Sequence, residues 1–201
     1  MGGVTADVGP DLGTSDDSAP PARRRPRTRA LVGWVVFVVV VVLVSTGARA
    51  YAFESYYVPT PSMTPTLIPG DRIMVDKLAS TIHRGDIVVF HNVPADKGGP
   101  PTLVKRVVGL PGETISSIGS TVLIDGKPLA EPWLPTLTGI CTEQGENIKS
   151  TRITPDHYFM MGDCRGDSED SRYFGTVPSS NIVGKVDLVI WRSGHPWIHW
   201  F

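Results

Sequence analysis

The sequence contains little cysteine and almost no net charge, and both shortages limit what the protein can be. Of its 201 residues two are cysteines, and 19 Lys and Arg against 20 Asp and Glu leave a net charge of -1 at pH 7. Two cysteines without C-x-x-C spacing are too few for a thiolate metal cage. A balanced charge excludes a strongly basic nucleic-acid-binding protein. We therefore expect no metal, no other cofactor and no nucleic-acid partner.

Helical periodicity is missing from the long region after residue 50. Short runs rich in Val, Ile and Tyr recur there between turns, and several alternate polar and apolar side chains as half-buried strands do. Asp125-Gly126 is a strong hairpin signal. The predicted strands cover residues 72–78, 86–90, 104–110, 121–124, 157–161 and 182–191. We predict a mainly β domain of antiparallel sheets over residues 50–201, with a loop-rich insertion near 130–152.

The N-terminal part has a different composition. Residues 1–29 are rich in Gly, Pro, Ser, Thr and Asp and hold almost no large apolar side chains, which predicts a disordered cytoplasmic tail. The tail ends in five arginines, and nineteen uncharged residues, 30–48, follow it. At about 1.5 Å per residue this run just spans a hydrocarbon core of roughly 30 Å. We predict a single transmembrane helix over residues 30–49.

A cleavable secretory signal is the alternative interpretation of this run, because Ala48-Arg49-Ala50 has the small-x-small form of a cleavage site. Signal h-regions usually have about 7–15 residues, so the longer run favours a retained anchor. Five arginines before the run, against Arg49 just after it, place the N-terminus in the cytoplasm. Either interpretation exports residues 50–201, so we expect a cell-membrane protein with its β domain outside the cytoplasm.

The pairing of the cysteines follows from that location. Outside the cytoplasm an even pair of cysteines is more often a disulfide than two free thiols. We therefore predict a disulfide between Cys141, which lies in the loop-rich insertion, and Cys164.

Four segments of the β domain carry polar side chains in distinctive surroundings. Ser62 lies among three prolines in residues 59–67, and proline rings stiffen the backbone around it. Such mixtures of Ser, Thr and Pro are also common in plain loops. The second segment, residues 70–77, begins with Gly70-Asp71, which most simply makes a turn into a strand.

The third segment, residues 105–113, starts with Lys105 in an apolar strand. A lysine there usually extends its ammonium to water, but burial lowers the pKa of the amine and turns it into a base. The fourth segment, residues 162–172, is dense in Asp and Ser. Its spacing does not match a calcium-binding loop, so a polar loop with Asp170 and Arg172 as ion-pair partners is the better interpretation.

Together and in this order, the four segments resemble those of the type I signal peptidases. S-M-T-P-T-L resembles the nucleophile box of that family, G-D-R-I-M-V-D-K the strand after it, K-R-V-V-G-L-P-G-E the lysine box and G-D-C-R-G-D-S-E-D-S-R the last box. The similarity extends over residues 53–192. It implies a membrane-bound serine endopeptidase that removes N-terminal signal peptides from secreted preproteins after Ala-x-Ala type sites.

The resemblance also implies roles for single residues. Ser62 is expected to be the nucleophile and neutral Lys105 the general base. Thr60 matches a hydroxyl that forms the oxyanion hole with the backbone N–H of Ser62, and Ser168 matches a serine that orients the lysine. The implied structural ion pair and substrate pocket are formed by Asp170 with Arg172 and by Val58, Met63, Leu67, Leu103 and Val104.

Two positions depart from the family pattern. Cys164 lies where the family more often has Asn, and Pro61 replaces the Gly or similar small residue before the serine. Neither change removes a catalytic group.

Other classes of protein compete with this interpretation. A Ser/His/Asp hydrolase would use one of the five histidines, but no G-x-S-x-G elbow surrounds any serine. A membrane-tethered scaffold whose β domain only binds a partner would need no titrating lysine. Self-cleaving repressors also use a Ser/Lys dyad, but they are cytoplasmic, and the anchor argues against them. The histidines are His83, His91, His157, His195 and His199.

The C-terminal end is rich in aromatic side chains. Trp191 is expected to pack in the core, whereas Trp197, Trp200 and Phe201 suit the surface of a lipid bilayer, because such rings favour the headgroup region. We therefore expect two kinds of partner, secretory preproteins and lipid.

Overall fold

The computed structural model describes residues 2–3, 27–93, 100–134, 141 and 148–201, without the side chains of 27–30 and 48–50. Most of the predicted tail, 1–29, and much of the predicted insertion, 130–152, therefore lie outside the described residues. The chain divides into two units, residues 1–43 and 44–201.

Helix α1, Arg27–Ala52, contains the uncharged run. The apolar side chains between Leu31 and Val44 are exposed. Within the part of the chain whose side chains are described, no helix combines the length and the apolarity that crossing a membrane requires.

The second unit is built from strands. In chain order these are β1 Phe53–Tyr57, β2 Arg72–Asp76, β3 Ile87–His91, β4 Thr102–Gly109, β5 Thr114–Ile118, β6 Thr121–Ile124, β7 Lys127–Pro128, β8 Thr151–Arg152, β9 His157–Met161, β10 Val177–Pro178, β11 Ile182–Arg192 and β12 His195–Trp200. Helix α2, Ser171–Phe174, and two single 3-10 turns, Pro61–Met63 and Ser179–Asn181, lie between them.

The described strands form two antiparallel sheets, which confirms the predicted mainly β fold. The large sheet has the order β1-β2-β11-β3-β4-β9-β10, with β12 paired to β11, and the small sheet has the order β7-β6-β5-β8. All six predicted strands are present with ends shifted by at most two residues. Strand β8, which lies inside the predicted insertion, pairs with β5 and so belongs to the small sheet.

Side-chain alternation explains how the strands pack. In β2, Ile73 and Val75 are buried and Arg72 is exposed, as expected for a strand with one face on the core. Strand β3 is buried on both faces: Ile87 and Val89 join one hydrophobic cluster, whereas Val88 and Phe90 join another. A strand covered on both faces has a continuous apolar sequence, and residues 87–90 have one.

The hairpin between β6 and β7 has the turn that its sequence predicts. Asp125 and Gly126 have φ angles of 49° and 77°. Two consecutive positive φ values characterise the type I′ turn, and Asp-Gly is one of the pairs that adopt it readily. The turn sets the register in which Ile124 faces Lys127.

Candidate active site

Ser62 lies on a tight turn between β1 and β2. The 3-10 turn Pro61–Met63 has proline at its start, where the ring presets φ. The Thr64 N–H closes the turn by donating to the Pro61 carbonyl at 2.8 Å. The next side chain, Met63, is fully buried, so it fixes the turn on the core. Only 5% of Ser62 is exposed.

Lys105 lies in the middle of β4, opposite Val88 of β3. Its side chain is 3% exposed. The Nζ atom lies 2.6 Å from Ser62 Oγ, so the fold joins two side chains that are 43 residues apart in the sequence.

Burial dominates the electrostatics of Lys105. Removal from water disfavours the charged amine and lowers the pKa of Lys105 from 10.5 to about 8. The carboxylates of Asp170, Asp163 and Glu169 act in the opposite direction, whereas Arg172 adds to the lowering. Burial outweighs the three carboxylates. With a pKa of about 8, roughly a tenth of the amine is neutral at pH 7.

A cleft opens beside the two side chains. Thr60 is exposed on its wall, and Thr60 Oγ1 lies 3.4 Å from Ser62 Oγ. Tyr56, which sequence reasoning did not single out, also lines the cleft; burial and then the Glu54 carboxylate raise the pKa of its phenol. The lining consists of Tyr56, Tyr57, Pro59, Thr60, Ser62, Ile73, Val89, Pro100, Thr102, Leu103, Val104 and Lys105.

The structure differs from the predicted substrate pocket in three of its five residues. Leu103 and Val104 line the cleft. Val58, Met63 and Leu67 are buried in the adjacent core cluster and are not part of the lining, although Ile73 and Val89 of the same cluster are. In a 3-10 turn consecutive side chains point about 120° apart. Met63 therefore points in a different direction from Ser62 and enters the core.

The loop after β9 packs against the back of the nucleophile. A Cβ on Gly162 would lie 2.5 Å from the Ser62 carbonyl oxygen, so this position needs glycine. The Cys164 N–H donates to the same carbonyl at 3.0 Å. Asp170 and Arg172 form a buried ion pair at 2.8 Å, and Asp170 also accepts the Gly162 N–H at 3.0 Å. These contacts fix the loop behind Ser62.

Ser168 lies in the same crowded space. Its Oγ is buried and has no hydrogen-bond partner within the described residues. A Cβ on Gly162 would lie 2.3 Å from that oxygen. The expected hydrogen bond between Ser168 and Lys105 is not made in this arrangement of the described side chains, so its orienting role stays a prediction.

The sequence is similar to those of known proteins over most of its length. The family model described as "Signal peptidase, peptidase S26" matches residues 31–191. A signal peptidase I from Bacillus caldolyticus is 39% identical, with 79% of this chain and 89% of that protein covered. One from Leptolyngbya laminosa is 35% identical, with 86% of each covered. The chain belongs to the S26 family of signal peptidases.

Family membership confirms the resemblance in the four sequence boxes and makes the chain an enzyme, a serine peptidase of the signal peptidase I type. Removal of signal peptides from secretory preproteins is the reaction of this family. A crystal structure of a signal peptidase I from Enterococcus faecalis V583 is 30% identical, with 53% of this chain and 97% of that one covered and a TM-score of 0.43.

A second buried ion pair in this signal peptidase was not predicted. Arg106, the residue after the lysine, binds Asp163 through two hydrogen bonds of 2.8 and 2.6 Å, and its Nη1 donates to the Gly85 carbonyl at 2.6 Å. Thr66 Oγ1 donates to the same carboxylate at 2.5 Å. A buried arginine in an apolar strand needs such a partner. The arginine next to Lys105 in the sequence could therefore have predicted a buried carboxylate nearby.

The two cysteines of the signal peptidase are bonded to each other. The structure joins Cys141 and Cys164, whose Cα atoms lie 5.2 Å apart. Both are buried, with 6% and 2% exposure. The bridge therefore connects residue 141 to the loop that packs behind Ser62.

Proposed function

We propose that this signal peptidase cleaves preproteins with Ser62 as the nucleophile and Lys105 as the general base. The contact of 2.6 Å between Lys105 Nζ and Ser62 Oγ, with both side chains buried, carries this proposal. A serine hydroxyl is a weak nucleophile without an adjacent base. The lowered pKa of Lys105 supplies a neutral amine at that position.

Each step of peptide-bond cleavage then has a proton carrier. Neutral Lys105 accepts the hydroxyl proton as Ser62 Oγ attacks the scissile carbonyl, and the ammonium gives it to the leaving amine. The acyl-enzyme is hydrolysed when neutral Lys105 takes a proton from water. Substrate in the cleft excludes solvent, which increases the neutral fraction of the amine further.

The developing oxyanion needs donors as well as a base. Thr60 is placed for this role, because its hydroxyl lies on the cleft wall 3.4 Å from Ser62 Oγ. We assign the oxyanion hole to the Thr60 hydroxyl and the Ser62 backbone N–H. Donors of this kind stabilise charge that exists only in the transition state.

The lining of the cleft supports small-x-small cleavage sites. The wall of the cleft next to the dyad is apolar and is formed by the side chains of Ile73, Val89, Leu103 and Val104. Apolar side chains of medium size leave room for alanine-like side chains, and they offer no partner for charged ones. Preproteins whose N-terminal signal peptides end in Ala-x-Ala type sites fit this lining.

Histidine catalysis is the competing mechanism, and the lining of the cleft argues against it. None of the residues that line the cleft in the described part of the chain is a histidine. His199 instead lines a separate cavity together with Arg106 and Trp133.

We further propose that residues 30–49 anchor the enzyme in the cell membrane, with residues 1–29 in the cytoplasm and 50–201 outside. The uncharged run and the five arginines that precede it support this topology. The same location favours the Cys141–Cys164 disulfide.

One face of the large sheet is suited to lipid. Leu188 of β11 pairs with Met74 on one side and Trp200 on the other, and residues paired across strands share a face. Trp200 is 68% exposed.

Trp191, expected in the core, is 38% exposed. Trp197 and Phe201 line the separate cavity instead.

Liposome binding tests this face. Residues 50–201 with and without Trp200→Ser are mixed with anionic vesicles and sedimented. We expect weaker binding of the variant, and equal binding by both proteins would remove the face from the proposal.

Cleavage of a preprotein by the detergent-solubilised full chain tests the dyad. Ser62→Ala and Lys105→Met are compared with Lys127→Met, which removes an exposed lysine from the small sheet. We expect both dyad variants to be folded and inert and the control to cut at the wild-type rate. Substantial cleavage by either dyad variant would overturn the assignment.

A further inference from the structure

The disulfide has contacts that reach further than the loop it closes. Cys164 donates its N–H to the carbonyl of Ser62 at 3.0 Å. The Sγ of Cys141 lies 3.7 Å from the carbonyl oxygen of Thr64. The two bonded cysteines thus contact the main chain at the nucleophile and two residues after it.

The segment between those contacts is short. Its backbone is defined locally by the 3-10 turn, by the hydrogen bond from the Thr64 N–H to the Pro61 carbonyl, and by one from the Leu67 N–H to the Met63 carbonyl at 2.9 Å. A single turn of this kind is held weakly by its own hydrogen bonds. The position of Ser62 therefore depends on what packs against the turn from outside.

The loop on the Cys164 side has further supports of its own. Asp163 binds Arg106, Asp170 accepts the Gly162 N–H, and Arg165 Nη1 donates to Glu131 at 3.0 Å. Breaking the disulfide would leave these bonds in place. Reduction would remove the covalent bond that keeps Cys141 in contact with Thr64. The turn that carries Ser62 would then lose one of its outside contacts. We expect a displaced nucleophile rather than an unfolded loop.

We propose that the Cys141–Cys164 disulfide is a positioning element for Ser62, and that the enzyme turns over more slowly when the bridge is reduced. A dithiol breaks the S–S bond, its own two sulfurs become a disulfide, and two electrons and two protons yield the thiols of Cys141 and Cys164. This inference rests on the proposed role of Ser62 as nucleophile.

Steady-state cleavage by the full chain in detergent, before and after dithiothreitol, tests the proposal. We expect kcat to fall about 10- to 100-fold with KM changed less than about twofold, because a displaced nucleophile affects the chemical step more than binding. The double variant Cys141→Ala/Cys164→Ala should have the kcat of the reduced enzyme, and dithiothreitol should not change it. Val122→Ala, in the core beneath the small sheet, controls for loss of stability and should keep the oxidised kcat.

Amide hydrogen exchange separates this inference from the proposed dyad, because it needs no cleavage. Reduction should speed exchange in residues 62–64 and at Cys164, whose N–H binds the Ser62 carbonyl. Slower turnover together with faster exchange supports the positioning role, and an unchanged value of either overturns it. If the oxidised enzyme does not cut, the proposed dyad fails, and the exchange measurement alone decides the role of the disulfide.

Discussion

Apolar side chains are buried under both sheets of the second unit, but the described buried polar side chains are confined to the region of the large sheet. The described core beneath the small sheet is made of apolar residues, namely Val108, Ile115, Val122, Ile148, Ile153, Phe159 and Met161. The buried polar and charged residues of the described chain all belong to the large-sheet region: Ser62, Thr64, Asp71, Lys105, Arg106, Asp163, Asp170 and Ser171. One chain thus combines a purely hydrophobic support with a region where polar groups are buried despite their cost.

The buried charges of the large-sheet region differ among themselves in a further way. Arg106 and Arg172 bind buried carboxylates, as does Arg192, which reaches Asp71. Lys105 instead contacts the neutral hydroxyl of Ser62. Paired charges stabilise a structure around the site, whereas an amine next to a neutral hydroxyl is free to lose its proton.

The largest effect that tests this contrast is expected for Arg106→Met. The substitution leaves Asp163, which has no exposed surface in its side chain, without its cationic partner. We expect the free energy of unfolding to fall by about 3–5 kcal/mol, as measured by urea denaturation. Lys105→Met is the matched control on the neighbouring residue and should cost no stability. Equal losses in the two variants would contradict the distinction between supporting and reactive charges.

Thr60→Val should affect catalysis and leave the fold alone. The hydroxyl is exposed on the cleft wall, so its removal uncovers no buried group. We expect kcat to fall about 10²- to 10³-fold, as for other lost oxyanion donors. The thermal midpoint is measured in parallel and should stay within a degree or two. Near-native turnover would remove Thr60 from the mechanism.

The pKa of Lys105 predicts how activity depends on pH. The value of about 8 means that kcat/KM should fall roughly tenfold for each pH unit below 8. A pH profile of preprotein cleavage checks this. An acid limb near pH 6, where histidine titrates, would favour the competing mechanism.

The same shift predicts a rise of stability with pH. Below pH 8 both the folded and the unfolded state carry the charged amine, so the cost of burying it is fully present. Between 8 and 10.5 the unfolded state binds more protons, and the free energy of unfolding should rise by at most about 1.4 kcal/mol per pH unit relative to Lys105→Met. Denaturant melts of both proteins at pH 7.5 and 9.5 measure it. A difference that does not change with pH would contradict the lowered pKa.

The smallest expected effect concerns the small sheet. Ile115→Val deletes one methylene from its apolar core, which should cost about 0.5–1.5 kcal/mol of stability. We expect kcat for the folded enzyme to stay unchanged, since the substitution touches no polar group near the dyad. A marked loss of kcat would show that the small sheet does more than support the site.

Much of this organisation is visible in the sequence, for physical reasons. Alternation in β2 and the Asp125-Gly126 turn are local patterns, and both predicted their structures. The resemblance to a known family brought together Ser62 and Lys105, which no local pattern connects.

What the sequence could not supply are the directions and partners of side chains. Met63 follows Ser62 directly, but the geometry of one 3-10 turn decides that it enters the core. The pair of Arg106 and Asp163 spans 57 residues, and only the pairing of β4 with β9 places the two side chains together. Strands as short as β8 and β10, of two residues each, carry no periodicity that could be recognised.

The register of β3 against β4, in which Val88 faces Lys105, has a consequence for the design of variants. Successive side chains of a strand point to opposite faces, so a one-residue insertion that shifts the register from Val104 onward would put Val104 in the place of Lys105 and turn Lys105 to the opposite face. A valine side chain has no group that can accept the serine proton. A single inserted residue upstream in β4 would thus silence the enzyme while leaving every catalytic residue in the chain. Screens for inactive variants should therefore include insertions as well as substitutions.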